Sequence, residues 1–142
     1  MFGSIVLGVD ESDHAKRAVD TVRRLAKETG DHVIVVHVQP VGSYGRGGPI
    51  PEEPEEKAVE FLDAVVAELR ADGVDVEGVA VAADVDRIGA SLLDLAKQHD
   101  AGLIAVGTRG LSRTKSLVLG SVAHAVIHEA EVPVLVVRDL QA

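Results

Sequence analysis

The run Val33-Ile-Val-Val-His-Val38 constrains this chain more than any other stretch, because so nearly unbroken an apolar segment cannot sit on a half-wet sheet. A strand of that composition is buried on both faces, the condition of a parallel strand held between helices. Ile5-Val-Leu-Gly-Val9, Leu103-Ile-Ala-Val106 and Pro133-Val-Leu-Val-Val137 are further short, β-rich apolar runs. Helical spacing fills the intervals. Ala15, Ala18, Val19, Val22, Leu25 and Ala26 share one face of a helix that Gly30 closes. A second helix, over 52–71, presents Ala58, Phe61, Leu62, Val65, Val66 and Leu69. Ile88, Leu92, Leu95 and Ala96 trace a third, and Val122, Ala123, Val126, Ile127 and Ala130 a fourth. Between the second and third helices, Val74 to Val81 alternates apolar and polar at first, which suits an edge strand with a bulge near Gly78.

Alternation of this kind predicts one doubly wound α/β domain over 1–142. Right-handed crossovers build it as a five-stranded parallel sheet, order 3-2-1-4-5, with helices on both faces. Residues 39–54 carry four glycines and four prolines and are expected to be a flexible loop, either simply mobile or a lid over a site. Ligands of such sheets bind beyond the strand C-termini, where the strand order reverses. Asp10 and Gly107 both stand at strand C-termini, so the sheet is expected to bring them together.

Composition excludes several functions. A net charge of −9 leaves no basic face for non-specific nucleic-acid binding, and three aromatic residues make no stacking platform for single strands. Cysteine is absent, which removes disulfides, thiol catalysis and thiolate-held metals. No apolar run approaches membrane-spanning length and no secretory leader pattern opens the chain, so a cytoplasmic location is expected.

The glycine-punctuated stretch after the fourth strand carries the chemistry. Its spacing is Gly107-x2-Gly110-x9-Gly120-Ser121, followed by Val122 and the last helix. Gly107 turns the chain off the strand, Gly110 admits a crowded backbone, and Gly120 removes a side chain at the helix entry. Backbone N–H groups and a positive helix end then face one spot, an anion site suited to phosphate. Ser121 is expected to cap the helix and to donate its hydroxyl to a phosphate oxygen. Arg109, Arg113 and Lys115 supply local positive charge in an acidic protein. The loop is neither a Walker A motif nor a dinucleotide fingerprint, since both spacings differ.

At these residues the chain resembles the universal stress protein family, in its ATP-binding branch. The likeness extends to Val9-Asp10-Glu11-Ser12, to the strand reaching Val38 and to the closing Val-Pro-Val-Leu-Val-Val run. The resemblance implies that Asp10 sits on the ribose and base side and that the Val38 backbone reads the adenine edge. It further implies that Gly107, Gly110, Gly120, Ser121 and Val122 line the phosphates of ATP, for which Mg2+ is a candidate companion ion. One departure is Asp84-Val-Asp-Arg87, where the family commonly has Gly-x-Pro.

From the residues alone Asp10 is open to three roles: metal ligand, nucleoside contact or helix cap. His124 and His128 lie four apart on the last helix without an evident third metal ligand, and His37 reads as a packed core histidine. His14, His32 and His99 are expected at the surface. Ser12, Ser112, Thr114, Ser116 and Ser121 are phosphorylatable hydroxyls without a general base, and no catalytic residue is assigned. The apolar last strand, 133–137, lies outermost and needs a cover, which a second copy paired about a twofold axis provides. The functional expectation is an ATP-binding sensor or regulator of stress response, with a slow ATPase or self-phosphorylating protein and a nucleotide-free dimeric scaffold as alternatives.

Overall fold

The computed structural model describes residues 1–10, 13–42, 50–51, 55–107 and 120–138. Among these residues six strands form in chain order: β1 (Ser4–Val9), β2 (His32–Gly42), β3 (Ile50–Pro51), β4 (Val76–Asp84), β5 (Leu103–Gly107) and β6 (Val134–Val137). Four helices connect them: α1 (Asp13–Thr29), α2 (Glu55–Ala71), α3 (Ile88–Gln98) and α4 (Ser121–Glu129). The five longer strands are parallel and lie in the order β4-β2-β1-β5-β6, which is 3-2-1-4-5 when β3 is set aside.

Strand alternation divides the core into two layers. Ile5, Leu7, Val9, Val33 and Val35 point to the face covered by α1 and α2, packing against Val19, Val22, Leu62 and Leu69. Val6, Ile34, Val36, Val38, Ile104 and Val106 point to the other face, against Ile88 and Leu92 of α3 and Ala123 and Val126 of α4. Val33 to Val36 are wholly buried, as their composition demands. Helix ends follow their signals: Gly30 adopts φ +75° and its amide donates to the Ala26 carbonyl at 2.8 Å, closing α1. The far end of α1 is tied to the turn after α2, where Arg23 and Lys27 pair with Asp72 at 2.7 and 3.1 Å. These two cations lower the pKa of Asp72.

Three local expectations change. First, β4 pairs with β2 in unbroken register from Val33↔Val76 to Val41↔Asp84, so there is no bulge at Gly78. That glycine serves packing instead: a Cβ there would meet Val66 Cγ2 at 2.9 Å and Leu62 Cγ at 3.0 Å, so α2 rests directly on the strand. The half-exposed pattern along β4 does agree with an edge position.

Second, β2 does not stop at Val38 but continues through Pro40 to Gly42. The hydrogen-bonding directions explain why proline is tolerated. The Val33 amide donates toward β4, to the Asp75 carbonyl, while the His32 amide donates toward β1, to the Gly3 carbonyl. Even-numbered residues of β2 therefore face β1, and Pro40 lies beyond the last β1 pair, Val9↔His37, where no ladder bond is lost.

Third, Ile50–Pro51 pairs antiparallel with Val41 and Gly42. Because Val41 also pairs with Asp84 on the β4 side, β3 must lie on the β1 side of β2. It continues the line of β1 past its C-terminal end, beside the switch point. The rest of the expected flexible segment, 43–49 and 52–54, lies outside the described residues.

Candidate functional site

Strand order reverses between β1 and β5, because β1 sends its crossover to one side and β5 returns on the other. A cleft opens there at the C-terminal edge of the sheet. Gly8, Val9 and Asp10 from the end of β1, Val36 and Val38 from β2, and Val106 and Gly107 from β5 form its floor. Ala15 of α1, Ile88 and Leu92 of α3 and Val122 of α4 form the walls. Four expected site residues, Asp10, Val38, Gly107 and Val122, thus meet in one concavity. Gly8 lets Leu92 of the wall rest on the floor, since a Cβ there would stand 3.0 Å from Leu92 Cδ1.

The helix end beside the cleft differs from the expectation for Ser121. Gly120, buried and with φ −61° and ψ 158°, is the N-cap of α4, and Ser121 is the first residue inside the helix. Among the described residues no side chain caps this end, whose first turn closes through the His124 amide on the Gly120 carbonyl at 3.0 Å. The early N–H groups of α4 thereby keep their anion-binding character. The Gly120 position is what makes this so, because a Ser or Asp N-cap satisfies those donors internally. Arg109 and Gly110, with Arg113 and Lys115 and with the hydroxyls of Ser12, Ser112, Thr114 and Ser116, lie outside the described residues.

Val36, Val38, Ile88, Leu92 and Val106 give an apolar slot with Asp10 as its charged residue, and α4 reaches the lining through Val122, while Gly120 and Ser121 are not among the lining residues. A ligand with a flat apolar body matches the slot. Ile88 and Leu92 were legible only as the core face of a helix. The signal that they also wall a cleft is Gly8, a glycine inside an otherwise bulky strand end.

The histidines sort as follows. His37 is 2% exposed, its Nδ1 is 3.1 Å from the Val9 carbonyl oxygen, and its ring meets Phe61 edge-on at 5.2 Å. His32 pairs with Asp75 at 2.9 Å and Glu77 at 3.3 Å, and His99 with Glu77 at 3.4 Å, around the N-terminal end of β4. The rings of His124 and His128 stack at 6.0 Å. Among the described residues no group of three or more metal-ligating side chains is arranged to hold a metal ion. The His14 side chain is outside the described set.

Fold and cleft define a doubly wound α/β protein with a ligand-type concavity at its switch point. Comparison with known sequences narrows this: the chain belongs to the universal stress protein family, whose profile matches residues 1–138. A universal stress protein of Thermus aquaticus, described by its place in the 3' region of a QAH/OAS sulfhydrylase, is 40% identical over 140 residues, covering 97% of this chain and all of that one. The Archaeoglobus fulgidus universal stress protein, solved in complex with dAMP, is 29% identical with a TM-score of 0.72, covering 95% of this chain and 97% of that one. A universal stress protein solved in complex with cAMP is 27% identical with a TM-score of 0.72, covering 96% and 97%. Among the described residues no helix is long and apolar enough to cross a membrane.

Proposed function

We propose that this chain binds ATP in the switch-point cleft and acts as a nucleotide-dependent sensor or regulator in stress response. Asp10 lies on the ribose and base side, the Val38 backbone reads the adenine edge, and Gly107, Arg109, Gly110, Gly120, Ser121 and Val122 surround the phosphates. The observation that carries the reading is the meeting, in one switch-point cleft, of an apolar slot with Asp10, Gly107 and Val122 of the first turn of α4, a helix whose N-cap is a glycine. The nucleotides held by two relatives, dAMP and cAMP, support the adenine end of the assignment. Mg2+ is the companion ion proposed for the phosphates.

In this reading the protein binds rather than cleaves, and it works in the cytoplasm as a homodimer paired through 133–137. Support for the dimer comes from β6, which among the described residues pairs with β5 alone and leaves Val134, Leu135 and Val136 half-exposed. Isothermal titration with ATP and GTP, each with and without Mg2+, tests the assignment. ATP heat that exceeds GTP heat is expected, and the absence of heat with either nucleotide refutes it.

A further inference from the structure

We infer that His37, a buried residue outside the cleft, is the positioning residue that orients Asp10 for the nucleotide; the inference rests on the ATP reading above. His37 belongs to the α1/α2 face of the sheet, in line with Val33 and Val35, and its ring packs against Phe61 of α2. Val36 and Val38, its neighbours, face the cleft side. From behind the sheet the ring reaches the carbonyl oxygen of Val9, 3.1 Å from Nδ1. A carbonyl oxygen only accepts, so Nδ1 carries the hydrogen, and this contact fixes the tautomer.

The consequence lies in the peptide unit. The carbonyl of Val9 and the amide of Asp10 belong to one rigid plane, so whatever holds the carbonyl sets the direction in which Asp10 leaves the strand. Val9↔His37 is the last pair of the β1–β2 ladder. In that pair the register directs the Val38 amide to the Val9 carbonyl, and the His37 ring adds a second donor to the same oxygen, bracing the peptide just where the ladder ends and Asp10 begins. One residue thus ties both elements expected to read the nucleoside: it immediately precedes Val38 in β2 and fastens the peptide that bears Asp10. A binding group must be held within about half an ångström to be effective, which is the work of such supporting contacts.

Two substitutions separate this role from plain core packing. His37→Phe keeps a ring against Phe61 and deletes the donor. His37→Asn loses the ring but puts an amide N–H where Nδ1 stood. ATP affinity measured by calorimetry on the full chain is expected to fall roughly 3- to 10-fold in His37→Phe, the worth of one ordinary hydrogen bond. In His37→Asn it is expected to stay within about twofold of the parent, even though the melting temperature drops further from loss of the ring contact. The Asp10 amide resonance should shift in the first variant and return in the second. Affinity that follows ring retention instead, or two variants that bind like the parent, overturns the inference. So does a histidine 15N spectrum showing the His37 proton on Nε2. A parent chain that gives no heat with ATP overturns the nucleotide reading itself, whereas parent binding with His37→Phe unaffected overturns only the role of His37.

Discussion

Asp31→Asn is the substitution whose cost follows most directly from named contacts. The Asp31 carboxylate is 5% exposed and gathers the first residues of the chain onto the start of β2. The Phe2 amide donates to both of its oxygens at 3.1 and 3.0 Å, and the Gly3 amide and the Met1 ammonium donate to Oδ1 at 2.9 Å each. Burial alone pushes this carboxyl's pKa up, but the Thr29, Phe2, terminal ammonium and Gly3 bonds outweigh it and hold the group well below the ordinary carboxylate range. An asparagine keeps one acceptor oxygen and turns an NH2 toward the Phe2 amide, donor against donor. Charge-assisted bonds exceed neutral ones by about 1 kcal/mol each, and cheaper burial of the neutral amide returns part of the loss. The net cost is about 2–3 kcal/mol, or a fall in melting temperature of roughly 6–10 °C for a domain of this length.

The sign of the pH dependence is fixed by the depressed pKa. The stabilisation is complete above the unfolded carboxyl value of 3.8 and is lost as pH falls from there toward the lower folded value. Below 3.8 the parent loses this contribution at about 1.4 kcal/mol per pH unit, and the variant has none to lose. Urea unfolding of both proteins at pH 7 and pH 3 should therefore show a gap that narrows by about 1 kcal/mol in acid. A gap under about 0.5 kcal/mol at pH 7, or one that is independent of pH, refutes the reasoning.

Other predictions rest on single contacts. Gly78→Val drives a side chain into Val66 and Leu62, and should cost about 1–3 kcal/mol in a urea melt while leaving nucleotide affinity unchanged, since none of these three residues lines the cleft. Val136→Pro should halve the mass seen by light scattering without unfolding the chain. The Ile104 amide donates to the Pro133 carbonyl, so odd-numbered residues of β6 face β5 and the Val136 amide points outward, toward the side where the proposed second copy pairs. An unchanged mass argues against that dimer, and Leu135→Pro, which breaks the inner ladder, is the unfolding control.

Much of the architecture was legible because burial and period agreed. Val33 to Val38 could only be a doubly covered strand, and the helix faces of Ala18, Val22 and Ala26 or of Ile88 and Leu92 could only meet a sheet. The misreadings occur where local composition and tertiary pairing compete. Pro40 and Gly42 mark a loop locally, yet β4 continues alongside to Asp84 and holds them in the strand through the residues whose amides face it. Gly78 carries the local sign of a bulge, whereas close approach of α2 is what requires it. Asp84-Val-Asp-Arg87, a departure from the expected glycine-proline turn, enters α3 through a short 3-10 turn over Val85–Arg87. At the site, positions at strand ends were readable from topology, which is why Asp10, Val38 and Gly107 converge. The Gly120-Ser121 pair was readable as a helix entry, but one-residue shifts in capping register leave little trace in sequence, and the cap fell to the glycine. His37 was recognisable as a satisfied core residue. Its partner was not, because a side chain reaching the carbonyl of a neighbouring strand has no sequence period.

The central claim is that the switch-point cleft grips a nucleotide by its phosphates at the start of α4. The direct measurement is to denature the purified protein, identify any released nucleotide by chromatography and mass, and titrate ATP into the parent and into Gly120→Val. Released adenine nucleotide, together with ATP binding that Gly120→Val abolishes while its fold persists, is the predicted result. A parent that releases nothing and gives no ATP heat, or a Gly120→Val protein that binds ATP as the parent does, contradicts the account.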